Sequence, residues 1–76
     1  MKELLKTIAV ELVNDQEQIN IKEIEQGNTI VLEISVAPED MGKVIGRKGR
    51  RAQAIRSIMK AKAIREGKKV IVDIVD

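Results

Sequence analysis

The chain has 76 residues, 43% of them apolar, with a formal net charge of +2 and no Phe, Tyr, Trp, His or Cys. At this length roughly 60% of the unfolded surface is buried, so the expectation is one small domain, residues 1–76, with an aliphatic core of modest stability. Without His or Cys there are no disulfides, thiolate chemistry, usual zinc sites or commonest general base, and no run approaches the eighteen or so apolar residues of a membrane span.

Residues 2–13 predict an amphipathic helix, with Leu5, Ile8, Ala9, Leu12 and Val13 on one face. Asn14 and Asp15 close it. No long apolar run follows Met1-Lys2-Glu3-Leu4-Leu5, so no signal peptide is read and a cytoplasmic location is expected. Residues 18–26 predict a strand with Ile19 and Ile21 in phase; Ile24 falls out of phase, which predicts a bulge or an early end. Gln26-Gly27-Asn28-Thr29 is a tight hairpin turn. Residues 29–36 alternate cleanly, Ile30, Leu32, Ile34 and Val36 facing one way and Glu33 and Ser35 the other.

Pro38 suits the first turn of a helix, and Glu39 and Asp40 suit its positive end. That helix covers about 39–45 and is interrupted at Gly46. A second helix runs from about 50 to 65 with Ala52, Ile55, Ile58, Met59 and Ala63 inward, and Gly67 caps it. Lys69 to Val75 is the last strand. The order α-β-β-α-α-β implies an α+β fold of two layers: three helices on one face of a three-stranded mixed sheet, its last strand parallel to the second through a helical crossover.

Charge is unevenly spread along these elements. Residues 1–42 hold three cations and nine acids, a net of −6; residues 43–69 hold eleven cations and one acid, a net of +10; Asp73 and Asp76 complete the chain with −2. A basic helix is often no more than a solvated face. An excess this large within one segment is the footprint of a polyanionic partner.

Within that segment lies Val44-Ile45-Gly46-Arg47-Lys48-Gly49-Arg50-Arg51. Two glycines three apart let another backbone approach closely. The helix that begins after them points free N–H groups and a positive dipole end outward, where anions bind. A plain turn between helices explains the glycines but not four adjacent like charges. The spacing is not Gly-x-Gly-x-x-Gly, and no Lys-Ser/Thr follows as in a nucleotide P-loop. Gly42 and Gly46 make a Gly-x-x-x-Gly, but in a segment too polar for a membrane helix pair. Ser35 and Ser57 have no histidine to activate them, and the acids lack metal-ligand spacing. No enzymatic activity, metal or cofactor is expected.

The pattern Val-Ile-Gly-x-x-Gly, set between a strand-helix and a helix-strand, resembles a KH domain, and the N-terminal helix and strand resemble the type II, prokaryotic arrangement. Met41 to Arg50, then Ala54-Ile55-Arg56 and Val70-Ile71-Val72-Asp73, resemble the small single-domain bacterial KH proteins of the KhpA family, over essentially the whole chain. The resemblance implies binding of single-stranded RNA, with the Gly-x-x-Gly loop clamping the backbone of about four nucleotides. It implies an RNA chaperone or post-transcriptional regulator. Carried onto this chain, it assigns RNA contact to Lys43, Ile45, Gly46, Arg47, Lys48, Gly49, Arg50, Arg51, Ile55 and Arg56, with Ala52 supporting the groove wall and the strand around Val70 to Val72 lying near the bases. It also implies a homodimer and a heterodimer with a larger Jag-type KH protein, so the alternative function is that of a pairing or adaptor partner.

Two departures from the KH pattern weaken the groove. Ala52 stands where a bulky aliphatic residue is common, and the loop flanking the groove is only the turn at Gly27-Asn28. With no aromatic side chain to stack a base, an interaction worth about 1–3 kcal/mol elsewhere, the expectation is weak, sequence-tolerant binding.

Overall fold

A computed structural model describes residues 1–75. The segment with the strictest alternation forms the middle of its sheet. Strand β2 (Thr29–Ser35) pairs on one side with β1 (Asn20–Gln26), antiparallel, and on the other with β3 (Lys69–Ile74), parallel. Ile30, Leu32 and Ile34 are buried, while Val31, Glu33 and Ser35 between them are half-buried. Such a period of two arises because successive side chains of a strand leave opposite faces.

Three helices cover the buried face. Helix α1 (Lys2–Leu12) brings Leu5 and Ala9; the short α2 (Met41–Ile45) brings Val44; α3 (Arg50–Arg65) brings Ala52, Ile55, Met59 and Ala63. Leu5, Ile30, Leu32, Ile34, Val44, Ile55, Met59 and Val72 belong to one continuous core. Leu32 and Met59 are wholly removed from solvent, each contributing about 1.5–3 kcal/mol relative to exposure. The order is α-β-β-α-α-β, an α+β fold with a mixed sheet, as the hydrophobic periodicity indicates. The first hairpin closes through Gly27 at φ +60°, a conformation that suits glycine at the first central position of a two-residue turn.

Three local expectations are corrected. First, β1 has no bulge: its register runs unbroken from Asn20↔Ser35 to Gln26↔Thr29. Ile24 is out of phase because it serves the other face. It lies opposite Val31, which lies opposite Ile71, and this cross-strand apolar row stabilises the sheet from its open side. Second, Ile58 is 50% exposed. It is one residue, about 100°, round the helix from buried Met59, and that turn takes it off the core-facing stripe. Third, the segment after Pro38 begins as a 3-10 turn, Pro38–Asp40, and becomes α-helical only at Met41.

Asp40 stands at the start of that short helix, and its side chain ties the helix to the α1–β1 connection. It is 2% exposed, and its Oδ2 accepts the backbone N–H of Asp15 at 3.0 Å. This bond, helped by the Asn14 N–H and by Lys43 and opposed by burial, holds the carboxyl below the usual carboxylate range. Lys43 Nζ lies 3.5 Å from Asp40 Oδ1. The α1–β1 connection is thereby clasped to the base of α2, and the far end of α2 carries the glycine corner.

Candidate nucleic-acid interface

Helix α2 ends at Ile45, and the chain turns into α3 within four residues. Gly46 N–H donates to the Gly42 carbonyl at 2.9 Å, closing the last turn. Gly46 then takes φ +75°, ψ 178°, a region open essentially to glycine alone. Lys48 follows at φ 54°, ψ 26°, and Gly49 at φ +74°, ψ 11°. Both are left-handed, a conformation that costs an L-residue such as Lys48 about 1–2 kcal/mol.

The two glycines have different physical reasons. A Cβ on Gly46 would sit 2.6 Å from Arg51 Cβ and 2.9 Å from Arg51 N. Gly46 is therefore needed for α3 to approach the loop, an internal packing requirement. A Cβ on Gly49 would meet nothing within 4 Å. Gly49 is needed for its backbone angle, and the space before it is open to a ligand.

Arg51 braces the corner at its surface. Its Nη1 donates to the Lys43 carbonyl at 2.6 Å, tying the first turn of α3 to the last turn of α2. That carbonyl lies near the negative end of α2, where a cation is favoured. The other cations of the corner have no such partner. Among the described residues the salt bridges are Lys43–Asp40, Lys62–Glu66 and Lys68–Glu25, so Arg47, Lys48, Arg50 and Arg51 are unneutralised. No acid stands in the first turn of α3, where the helix dipole would favour one. Positive charge thus gathers at the positive end of a helix, an arrangement that an anion would relieve.

The expected site residues do not form one surface. Gly46, Arg47, Arg50, Arg51 and Ala54 line a hollow of ≈ 480 Å³ on one flank of α3, and Arg56 and Lys60 line another of ≈ 300 Å³ with Val70 to Asp73 of β3. Ala54 and Arg56 are two residues apart, about 200° round the helix, so the hollows open on opposite flanks. Ile45 is 38% exposed, whereas Ile55 and Ala52 are in the core at 4%. The latter two line neither hollow.

Arg56 reaches across to the sheet. Its Nε donates to the Val72 carbonyl at 3.2 Å. Among the described residues β3 ends the sheet, with no strand on its outer side. Lys69 N and Val75 N bond to the carbonyls of Asn28 and Ile34 on the β2 side. The intervening Val70, Val72 and Ile74 therefore turn their backbone groups to the outer edge. The contacts made by Arg51 and Arg56 were not legible in the sequence, where both are cations among many.

Among the described residues no three His, Cys, Asp or Glu side chains are grouped to hold a metal ion, and no helix is long and apolar enough to cross a membrane.

A three-stranded mixed sheet under three helices, with a Gly-x-x-Gly corner joining the last two, defines a type II KH domain. A family model described as "KhpA/KhpB, KH domain" matches residues 2–74, and the chain belongs to that family. It is 51% identical over 75 residues to the RNA-binding protein KhpA of Clostridium acetobutylicum, 53% over 75 residues to that of Caldanaerobacter subterraneus subsp. tengcongensis, and 52% over 75 residues to that of Clostridium perfringens. Each comparison covers 99% of this chain and 100% of the relative. These relatives bear the name of a binding protein, not of an enzyme. No solved structure matches the chain significantly.

Proposed function

We propose that this chain binds single-stranded RNA, that it grips the sugar-phosphate backbone at Gly46-Arg47-Lys48-Gly49, and that it acts in the cytoplasm as an RNA chaperone or post-transcriptional regulator. The relatives named as RNA-binding proteins support the first part. The observation that carries the second is the unneutralised cation cluster around Gly49, at the positive end of α3 and facing open space. Phosphates held there would leave the bases to run past Ile45 towards the α3–β3 hollow and the outer edge at Val70 to Val72. Charge supplies most of such an affinity, because counterions are released from the nucleic acid.

Fluorescence anisotropy of a labelled eight-nucleotide RNA tests the proposal. Wild type binds, and Arg47→Asp with Lys48→Asp, both exposed and far from the core, loses binding at least tenfold with an unchanged circular dichroism spectrum. Equal affinity for the two proteins would refute the grip at this loop.

A second reading, pairing with another copy of the chain or with a Jag-type KH protein, is favoured by Ile58, Ile64 and Ile71, which keep about half or more of their surface in water. Two paired weak sites would gain avidity. Sedimentation at rising concentration tests it: a species heavier than one chain, retained in the Arg47→Asp, Lys48→Asp variant, supports pairing, and a single-chain mass throughout opposes it.

A further inference from the structure

We infer that Asp40 is a positioning residue that holds the Lys43 ammonium back from the RNA, so that this cation, a turn before the glycine corner, is not used by the bound strand; the inference rests on the RNA-binding reading above. Lys43 stands in the middle of α2 (Met41–Ile45), and its Nζ lies 3.5 Å from Asp40 Oδ1. A helical side chain leans towards the N-terminal end of its helix. The contact therefore draws the ammonium towards the start of α2, whereas the glycine corner is at the other end. Lys43 is not among the residues that line the hollow at the corner, which are Gly46, Arg47, Arg50, Arg51 and Ala54.

The carboxylate is fixed where it is. Asp40 is 2% exposed, and its Oδ2 accepts the Asp15 N–H at 3.0 Å. Among the described residues Lys43 is the only cation within salt-bridge distance of it. A swing of the ammonium to a phosphate would leave a buried carboxylate without a counter-charge, and that costs far more than parting an exposed pair. The backbone of Lys43 is held as well, since its carbonyl accepts Arg51 Nη1. A phosphate at the corner meets Arg47, Lys48 and Arg50 instead, which form no ion pair among the described residues.

Other roles for the pair make different predictions. If Asp40 merely orients Lys43 onto the RNA, neutralising Asp40 weakens binding. If Asp40 acts only through its negative field, or only as a structural clasp, its effect on binding is the same with and without Lys43.

The experiment uses the full chain, a labelled eight-nucleotide RNA and anisotropy over a range of salt concentrations. Asp40→Asn keeps an oxygen for the Asp15 N–H and removes the charge that holds Lys43. It is expected to bind about threefold or more tightly than wild type at low salt, with a salt slope steeper by about 0.7, the value of one further phosphate contact on a single strand. Asp40→Asn combined with Lys43→Ala has the net charge of wild type, and its affinity and slope return to the wild-type values. In wild type itself, saturation with RNA moves the side-chain NMR signals of Lys48 and leaves those of Lys43 in place.

A folded Asp40→Asn protein that binds no more tightly than wild type overturns the inference, as does a gain that survives in the double variant. Movement of the Lys43 signals equal to that of Lys48 overturns it too, and this arm needs no variant to fold. In each of these outcomes RNA binding still stands. Binding of RNA by none of the proteins overturns the RNA-binding reading itself, and this inference with it.

Discussion

Gly46 and Arg51 are packed so closely that the first side-chain carbon of one excludes any side chain on the other: a methyl on Gly46 would come within 2.6 Å of Arg51 Cβ. The corner is thus shaped from within by the approach of α3. Its outer surface is left to Arg47, Lys48 and Gly49. This division predicts opposite behaviour for the two glycines.

Gly46→Ala faces both a forbidden backbone region and a steric overlap with backbone atoms. It destabilises by about 3 kcal/mol or more. Gly49→Ala meets no atom and costs only the left-handed backbone, about 1–2 kcal/mol. Urea denaturation of the two variants checks the order. A milder effect at Gly46 than at Gly49 would contradict the packing argument.

Arg51→Ala removes the bond to the Lys43 carbonyl and frees the loop. A solvent-exposed hydrogen bond from a charged donor is worth about 1 kcal/mol net, and that is the expected loss in thermal or urea unfolding. Arg51→Lys retains charge without the reach and geometry of the guanidinium, and recovers less than half of it.

Acid should loosen the clasp at the base of α2. The Asp40 carboxyl is depressed in the folded chain by the Asp15 N–H above all. A depressed folded pKa means stability that is full above the unfolded value, near 4, and is lost as pH falls through the folded value. Asp40→Asn abolishes the charge at every pH. The melting temperatures of wild type and Asp40→Asn therefore differ most above the unfolded carboxyl value and converge as pH falls through the depressed folded value. A difference independent of pH would show that the charge of Asp40 is not what matters.

RNA affinity should fall steeply with salt. For single strands the logarithm of the binding constant falls with a slope of about −0.7 per neutralised phosphate. Two to four contacts at this corner give a slope of roughly −1.4 to −2.8. Removing Lys48 by substitution with Ala should flatten it by about 0.7. A slope near zero in wild type would exclude a phosphate grip.

Much of this arrangement is legible in the chain. The alternation Ile30, Leu32, Ile34 marks the central strand, since every second side chain must enter the core. Ala52, Ile55, Met59 and Ala63 mark the inner stripe of α3. Ile24 and Ile58 misled because an apolar residue announces that it prefers cover, not which face supplies it. Ile24 finds cover in a row across the open side of the sheet, and Ile58 finds little. In the glycine corner, residue type and spacing point to phosphate, but the separate demands on Gly46 and Gly49 depend on where α3 returns. Long cations are the least readable. Arg51 folds back onto Lys43, Arg56 reaches to Val72, and Arg47, Lys48 and Arg50 form no described ion pair, yet in the sequence the five are alike.

The most direct test of the central claim is to follow the backbone amide NMR signals of the full chain while an unstructured eight-nucleotide RNA is added. The account predicts that the largest shifts fall on Gly46 to Arg51, with a second group at Val70 to Val72, while α1 stays unmoved. Shifts confined to α1 or to the open side of the sheet, or none at all at saturating RNA, would contradict it.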